Sequence, residues 1–328
     1  MPLSATYPVV LAIAAGLCAA TFAVPPAHAQ PKYPTKPIRI IVPASAGGTQ
    51  DTLARLFAPK LAERLGQPIV VENRPGAGGM IGAAIVAKAA PDGYTLLLAG
   101  PGFSVNAGLR DNLPYDPIKD FRGVAQIGYS TTALVVSPPL GVKSVKELIA
   151  YAHAHPGKVL FGSAGAGTAT FMGAERFRMA AGIKATHVGF KGQPEFLLEI
   201  VAGRVHYGVG GLGPSITFIK SGQLLPLAVT TPKRAPLLPD VPTAAEVLPH
   251  WGRDGSQGIL APAATPRAIV NQINRETARI LETPEVRDKL LGVDFNILTS
   301  TPEDYDKSLR ADIATFTRVA KEAGLRVK

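Results

Sequence analysis

Short apolar runs alternate with helix-spaced patterns along almost the whole chain, and that alternation limits the possible folds more than any other feature. The run "PIRIIVP" (37–43) reads as a buried strand, and Leu53, Leu56, Phe57, Leu61 and Leu65 then recur at helical spacing until Gly66 supplies a stop. Pro59 inside that pattern predicts a kink or a local break. Further strand candidates are "PIVVEN", "YTLLLAG", "ALVVSP", "VLFGSA", "HVGF", "VHYGVG" and "LPLAVT", with helical patterns at 144–154, 168–181, 194–202 and 266–282. Such an alternation predicts an α/β chain whose sheets are mainly parallel and covered on both faces. With 328 residues there is enough chain for two domains with sizeable cores.

Open α/β sheets bind ligands beyond the carboxyl ends of their strands, where glycine-rich turns lead into helices. Four turns have that form, at 43–51, 74–82, 162–168 and 208–214. In "VPASAGGTQDTLAR" (42–55), Thr49 is a good N-cap, Asp51 suits the first helical turn, and the N–H groups of residues 46–50 suit a carboxylate or phosphate. Asp51 itself disfavours a bare phosphate, because like charges repel. "FGSAGAGTATFMG" (161–173) adds the hydroxyls of Ser163, Thr168 and Thr170 to a second glycine loop, which suits an oxyanion. It lacks the glycine of a nucleophile elbow and the Gly-Lys-Ser/Thr of a phosphate loop. "GVGGLG" (208–213) matches the dinucleotide spacing, but no Asp or Glu follows before Asp240 to hold a ribose. A hydrolase built on Ser163 with a distant His and Asp finds no support in the spacing.

Composition removes other classes. Residues 1–29 carry no Lys, Arg, Asp or Glu and hold an apolar stretch followed by Ala27-His28-Ala29, which reads as a cleaved secretory signal. Cys18 lies inside it, so the mature chain is expected to have no thiol chemistry. The net charge of +10 is scattered without a basic block, and aromatics make up 6%, so nucleic-acid binding is not expected and an anionic small molecule suits the charge. His153 and His155 stand two apart on a helix and point differently, so no metal site and no cofactor are expected.

Taken together the turns resemble those of the Bug family, the TctC-like periplasmic receptors of tripartite tricarboxylate transporters. The resemblance runs through "YPTKPIRIIVPASAGGTQDTLAR", "VVENRPGAGGMIGAAIVAKAAPDGYTLLLA", "LPYDPIKDFRGVAQIG", "FGSAGAGT", "LAVTTPKRAPLLPDVPTAAEV", "GILAPAATPRAIVNQIN" and "TPEDYDKSL", in that order. It implies a type II periplasmic-binding fold, two α/β domains around a central ligand cleft with two hinge crossings. The expected limits are 30–131 plus 257–328 for one domain and 132–256 for the other. It also implies a monomeric, periplasmic solute-binding protein, not an enzyme, that captures an organic carboxylate and hands it to membrane permease subunits. The alternatives are a secreted hydrolase using Ser163 and a ligand sensor for a signalling partner.

Family members clamp carboxylates with backbone amides from loops of both domains. Carried over, the first loop is Ser45, Ala46, Gly47, Gly48, Thr49 and Asp51, and the facing loop is Ser163, Gly165, Gly167 and Thr168. On this reading no basic residue is needed in the cleft, and Lys191 is a solvated loop residue. Three positions depart from the family pattern: Phe171 where many relatives carry His, His206 where Asp is usual, and Phe190 where Tyr is common. Phe171 and Phe190 imply an apolar wall and an aromatic or apolar acid as ligand.

Overall fold

Ile38–Val42 (β1) carries Ile38, Ile40, Ile41 and Val42, each at most 2% exposed, so the strand is covered on both faces as its composition demands. A computed structural model describes residues 33–248, 251, 255–322 and 324–325, and Pro34 onward forms one compact unit. The signal-peptide reading of 1–29 lies outside the described residues.

In chain order β1 is followed by α1 (Thr49–Leu65), β2 (Ile69–Asn73), a 3-10 turn (Ala77–Gly79), α2 (Met80–Ala87), β3 (Thr95–Ala99), α3 (Pro101–Leu109) and β4 (Phe121–Ser130). Then come β5 (Thr132–Val136), α4 (Val145–Ala154), β6 (Val159–Ser163), α5 (Ala169–Ala180), β7 (Ala185–Gly189), α6 (Gln193–Val201), β8 (Tyr207–Gly211), α7 (Leu212–Lys220), β9 (Leu225–Val229) and α8 (Ala244–Val247). The remainder is β10 (Gln257–Pro262), α9 (Arg267–Glu282), α10 (Pro284–Leu291), β11 (Phe295–Ile297) and α11 (Pro302–Glu322). The first sheet has the order β11-β4-β10-β3-β1-β2 and the second β7-β6-β8-β5-β9.

The sheets are mixed, not mainly parallel. β1 runs parallel to β2 and β3, and β6 to β7 and β8, as helix-linked crossovers require. By contrast β10 is antiparallel to β3 and β4, β11 to β4, and β5 to β8 and β9. The reason is connectivity. Only Thr131 separates β4 in one sheet from β5 in the other, and residues 230–256 bring the chain back. Strands that carry the chain between sheets make no βαβ crossover within either, so nothing forces them parallel.

α1 continues as one helix through Pro59, so of the expected kink or local break the break does not occur. The ring removes the bond to the Arg55 carbonyl, but Phe57, Ala58 and Leu61 around it are buried and pin that face of the helix. Gly66 closes it in the left-handed region, φ 69°, donating its N–H to Ala62 O at 2.9 Å.

One core cluster gathers Phe161, Phe177, Tyr207 and Trp251 with Val105 and Leu109 of α3 and Phe316 and Ala320 of α11. A second surrounds Tyr305 and the ring trio of Phe103, Tyr115 and Phe121, whose centroids stand 5.0–5.7 Å apart. The third lies around α6, with Phe196, Leu197 and Ile200 at 0% exposure. Helices of the first-sheet side thus share a core with strands of the second, which fixes how the two sheets face each other.

Candidate functional site

All four glycine-rich turns reach one cavity of about 650 Å³, within the usual range for small-molecule sites. Its walls include Ser45, Thr49 and Gln50 from the first turn, Pro75–Gly79 from the second, Ala164–Ala166 and Thr168–Thr170 from the third, and Val209 and Gly211 from the fourth. Gly102, Arg110, Phe190, Lys191 and Gln193 complete the parts that matter here.

The two sides touch directly. Ser45 Oγ donates to Lys191 O at 2.8 Å, and the Asn106 side-chain amide donates to Gly78 O, Gly102 O and Gly167 O at 2.8, 2.9 and 3.0 Å. Glycine is needed where these surfaces meet. A Cβ on Gly211 would stand 2.2 Å from Thr49 Oγ1, one on Gly192 2.7 Å from Ser45 Oγ, and one on Gly78 2.7 Å from Ala166 O. Such separations are far inside van der Waals contact. Gly208 and Gly210 of the dinucleotide-like "GVGGLG" lie inside β8 and pack on Phe196, so they form no phosphate turn.

Of the residues expected at the site, Ser45, Gly48, Thr49, Gly165, Thr168 and Phe190 line the cavity. Ala46 and Gly47 face solvent, while Asp51, Ser163, Gly167 and Phe171 are buried behind the wall. Asp51 holds its own loop, accepting Gly47 N–H at 2.9 Å and Arg55 Nε at 3.0 Å. Burial pushes its carboxyl upward, but the bonds from Arg55, Gly47 and Asn73 outweigh that and hold it below the usual carboxylate range. Phe171 is 7% exposed with its ring 4.8 Å from that of His187. An aromatic-acid ligand therefore keeps only Phe190 as an expected wall.

The amides also differ from expectation. Gly47 N–H is spent on Asp51, Gly48 N–H on Ser45 O, Ala164 N–H on Thr170 Oγ1, Gly165 N–H on Ser163 Oγ and Thr168 N–H on Gly165 O. Among the described residues, the lining N–H groups of Thr49, Gln50, Gly102, Ala169 and Thr170 have no acceptor. They belong to the first turns of α1, α3 and α5, where the helix ladder leaves donors over. The start of α6, at Gln193, joins them. Four helix N-termini therefore bring partial positive charge to one space.

Sequence reasoning missed the Gln50 side chain, Asn106, Arg110 and Gln193, single polar residues in or next to helices. Gln193 copies a strand partner, donating to Gly211 O at 2.8 Å and accepting Gly211 N–H at 3.1 Å. Arg110 and Lys191 are the charged residues of the lining, both cations, so two basic side chains stand beside the loop amides. Among the described residues no three potential metal ligands come together.

Ser163 Oγ accepts Gly165 N–H at 3.1 Å and is hydrogen-bonded to His187 Nε2 at 2.6 Å. The pairing suggests hydrolase chemistry, yet Ser163 is 0% exposed and the His187 ring lies 5.1 Å from Phe161. No carboxylate meets His187 among the described residues. The pair anchors the 164–168 loop to β7. Burial lowers the His187 pKa below its ordinary 6.5. The unfolded chain therefore takes up this proton first as pH falls, and stability drops below about pH 6.5 by at most ~1.4 kcal/mol per pH unit. His187→Gln should flatten that slope in urea unfolding compared between pH 7.5 and 5. An unchanged slope would show that His187 titrates as it does unfolded.

The chain matches the profile of the tripartite tricarboxylate transporter family receptors, TctC, over residues 53–325. It is 32% identical over 299 residues to protein BugT of Bordetella pertussis, covering 90% of this chain and 92% of that one. Rpa4515 of R. palustris, solved with adipate, superposes with a TM-score of 0.86 at 36% identity, covering 89% of this chain and 98% of that one. MatC of Rhodopseudomonas palustris, solved with bound malate, gives a TM-score of 0.84 at 30% identity over 88% and 99% of the two chains. Mixed sheets, the shared cleft and these likenesses agree on the type II periplasmic-binding fold, and the chain belongs to the TctC, or Bug, family of solute-binding receptors.

Proposed function

We propose that the protein is a periplasmic receptor that closes over an organic carboxylate and delivers it to the membrane subunits of a tripartite tricarboxylate-type transporter. One observation carries this reading. Four helix N-termini meet at a 650 Å³ cavity whose charged lining residues are two cations. Fixed dipoles of this kind stabilise an anion without a proton transfer or a covalent step. The relatives solved with adipate and malate bind small acids in the same fold. The buried, carboxylate-free Ser163–His187 pair supports binding over hydrolysis, since the hydroxyl is not offered to the cavity.

Export through a cleaved leader at 1–29, and domains of 30–131 plus 257–328 and of 132–256, belong to the same reading. So does closure as a hinge motion whose equilibrium a bridging ligand shifts. Adipate and malate are the first probes. At a hundredfold excess over Kd a bound acid adds about 2.7 kcal/mol, a rise in Tm of roughly 4–8 °C. The uncharged diamide of adipate should give no rise. Equal shifts for acid and diamide, or no shift with any mono- or dicarboxylate, would remove the reading.

A further inference from the structure

We infer that Arg110 selects ligands carrying a second acid group, an inference that rests on the carboxylate reading above. Arg110 follows the last residue of α3 and lines the cavity, as do Pro101 and Gly102 at the start of the same helix. Its Nε donates to Asn106 Oδ1 at 3.3 Å, so the guanidinium folds back by one turn toward Asn106. Asn106 is 1% exposed and its amide nitrogen is committed to three carbonyls, so the oxygen that holds Arg110 has a fixed direction. The remaining guanidinium donors have no carboxylate partner among the described residues. Elsewhere Arg39, Arg55, Arg64, Arg178, Arg204 and Arg234 each pair with an Asp or Glu. A half-buried guanidinium on a cavity wall that holds no acid is a recognition group awaiting an acid from outside.

The arrangement gives α3 two anion poles. One is the free N–H of Gly102 at the positive end of the helix, and the other is the guanidinium held at the level of Asn106. Four residues at 1.5 Å put these levels on the order of 6 Å apart along the axis. An aliphatic diacid of a few carbons spans that distance and meets both poles, whereas a mono-acid meets one.

The test compares adipate with hexanoate, equal in chain length, by calorimetry on the full mature chain and on R110Q and R110K. Wild type is expected to favour adipate by at least about 10-fold, the scale of one desolvated charge pair. R110Q should bring the adipate-to-hexanoate ratio to near one, and R110K should restore part of it. Both ligands are read on the same folded sample, so a stability loss does not imitate the change in ratio. If R110Q does not fold, the wild-type ratio and R110K decide. A wild-type ratio near one, an R110Q ratio equal to wild type, or equal loss of both ligands in R110Q overturns the role of Arg110 while the carboxylate reading stands. Failure of wild type to bind either acid overturns the carboxylate reading itself.

Discussion

Gly211→Ala should weaken adipate binding by about 5- to 150-fold, the equivalent of the 1–3 kcal/mol that an unaccommodated methyl group costs in a packed contact. The backbone tolerates alanine, since Gly211 sits at φ −56° and ψ 137°. The clash is with the opposite side: the new Cβ stands 2.2 Å from Thr49 Oγ1. Either Thr49 turns away from the cavity or the two surfaces stay apart, and each outcome spoils the closed pocket. The remedy is equally local. Thr49→Ala removes the hydroxyl and leaves Thr49 Cβ at 3.4 Å and Gln193 Oε1 at 3.5 Å, both ordinary contacts. In a double-mutant cycle G211A should therefore cost under about threefold in the T49A background, because the two positions couple directly. The same cost in both backgrounds would mean that the approach of these surfaces has no part in binding.

Asn106→Leu should lower the unfolding free energy by about 2–5 kcal/mol, measured by urea denaturation. Two amide hydrogens serve three carbonyls here, those of Gly78, Gly102 and Gly167, and the residue is 1% exposed. Leucine keeps the volume but takes the donor from the buried Gly167 carbonyl and the part-buried Gly78 carbonyl, at about 1–3 kcal/mol each, while Gly102 O keeps its helical donor. Gly167 is adapted to the same contact: its φ is +85°, and a Cβ there would lie 2.1 Å from Asn106 Oδ1. A loss below 1 kcal/mol would show that water replaces the amide at little cost.

Much of this was legible in the sequence. The four turns announced themselves because a strand that gives up its side chains at its carboxyl end does so for a close approach, and all four reach the cavity. The helices at 144–154, 168–181, 194–202 and 266–282 fall within a residue or two of α4, α5, α6 and α9, since their apolar spacing and caps act locally. Ser144 and Thr168 both cap as their side chains suggest, accepting from Glu147 N and Phe171 N.

What stayed hidden depends on distant partners. β4 and β10 mix Arg122, Gln126 and Gln257 with apolar residues, and their antiparallel pairing follows from the passage between sheets rather than from any local pattern. The closeness of the glycine loops had a second cause that no single turn shows. Gly78, Gly192 and Gly211 make room for the opposite wall, while several loop amides are occupied within their own turns. Phe171 looked like a pocket residue because its helix starts at the cavity, but its own direction is inward to His187. Arg110 sits where a cation ordinarily complements a helix C-terminus, so nothing in its neighbourhood along the chain separates it from a surface residue.

The shared core of Val105, Leu109, Phe316, Phe177 and Trp251 has a mechanical consequence. Pulling those side chains apart exposes apolar area at about 25 cal/mol per Å², whereas parting the Ser45–Lys191 edge gives up a single exposed hydrogen bond, worth about 1 kcal/mol. The molecule should swing like a shell whose spine is greasy and whose lips are polar, so solute enters between Ser45 and Lys191 while the neighbourhood of Asn106 barely moves.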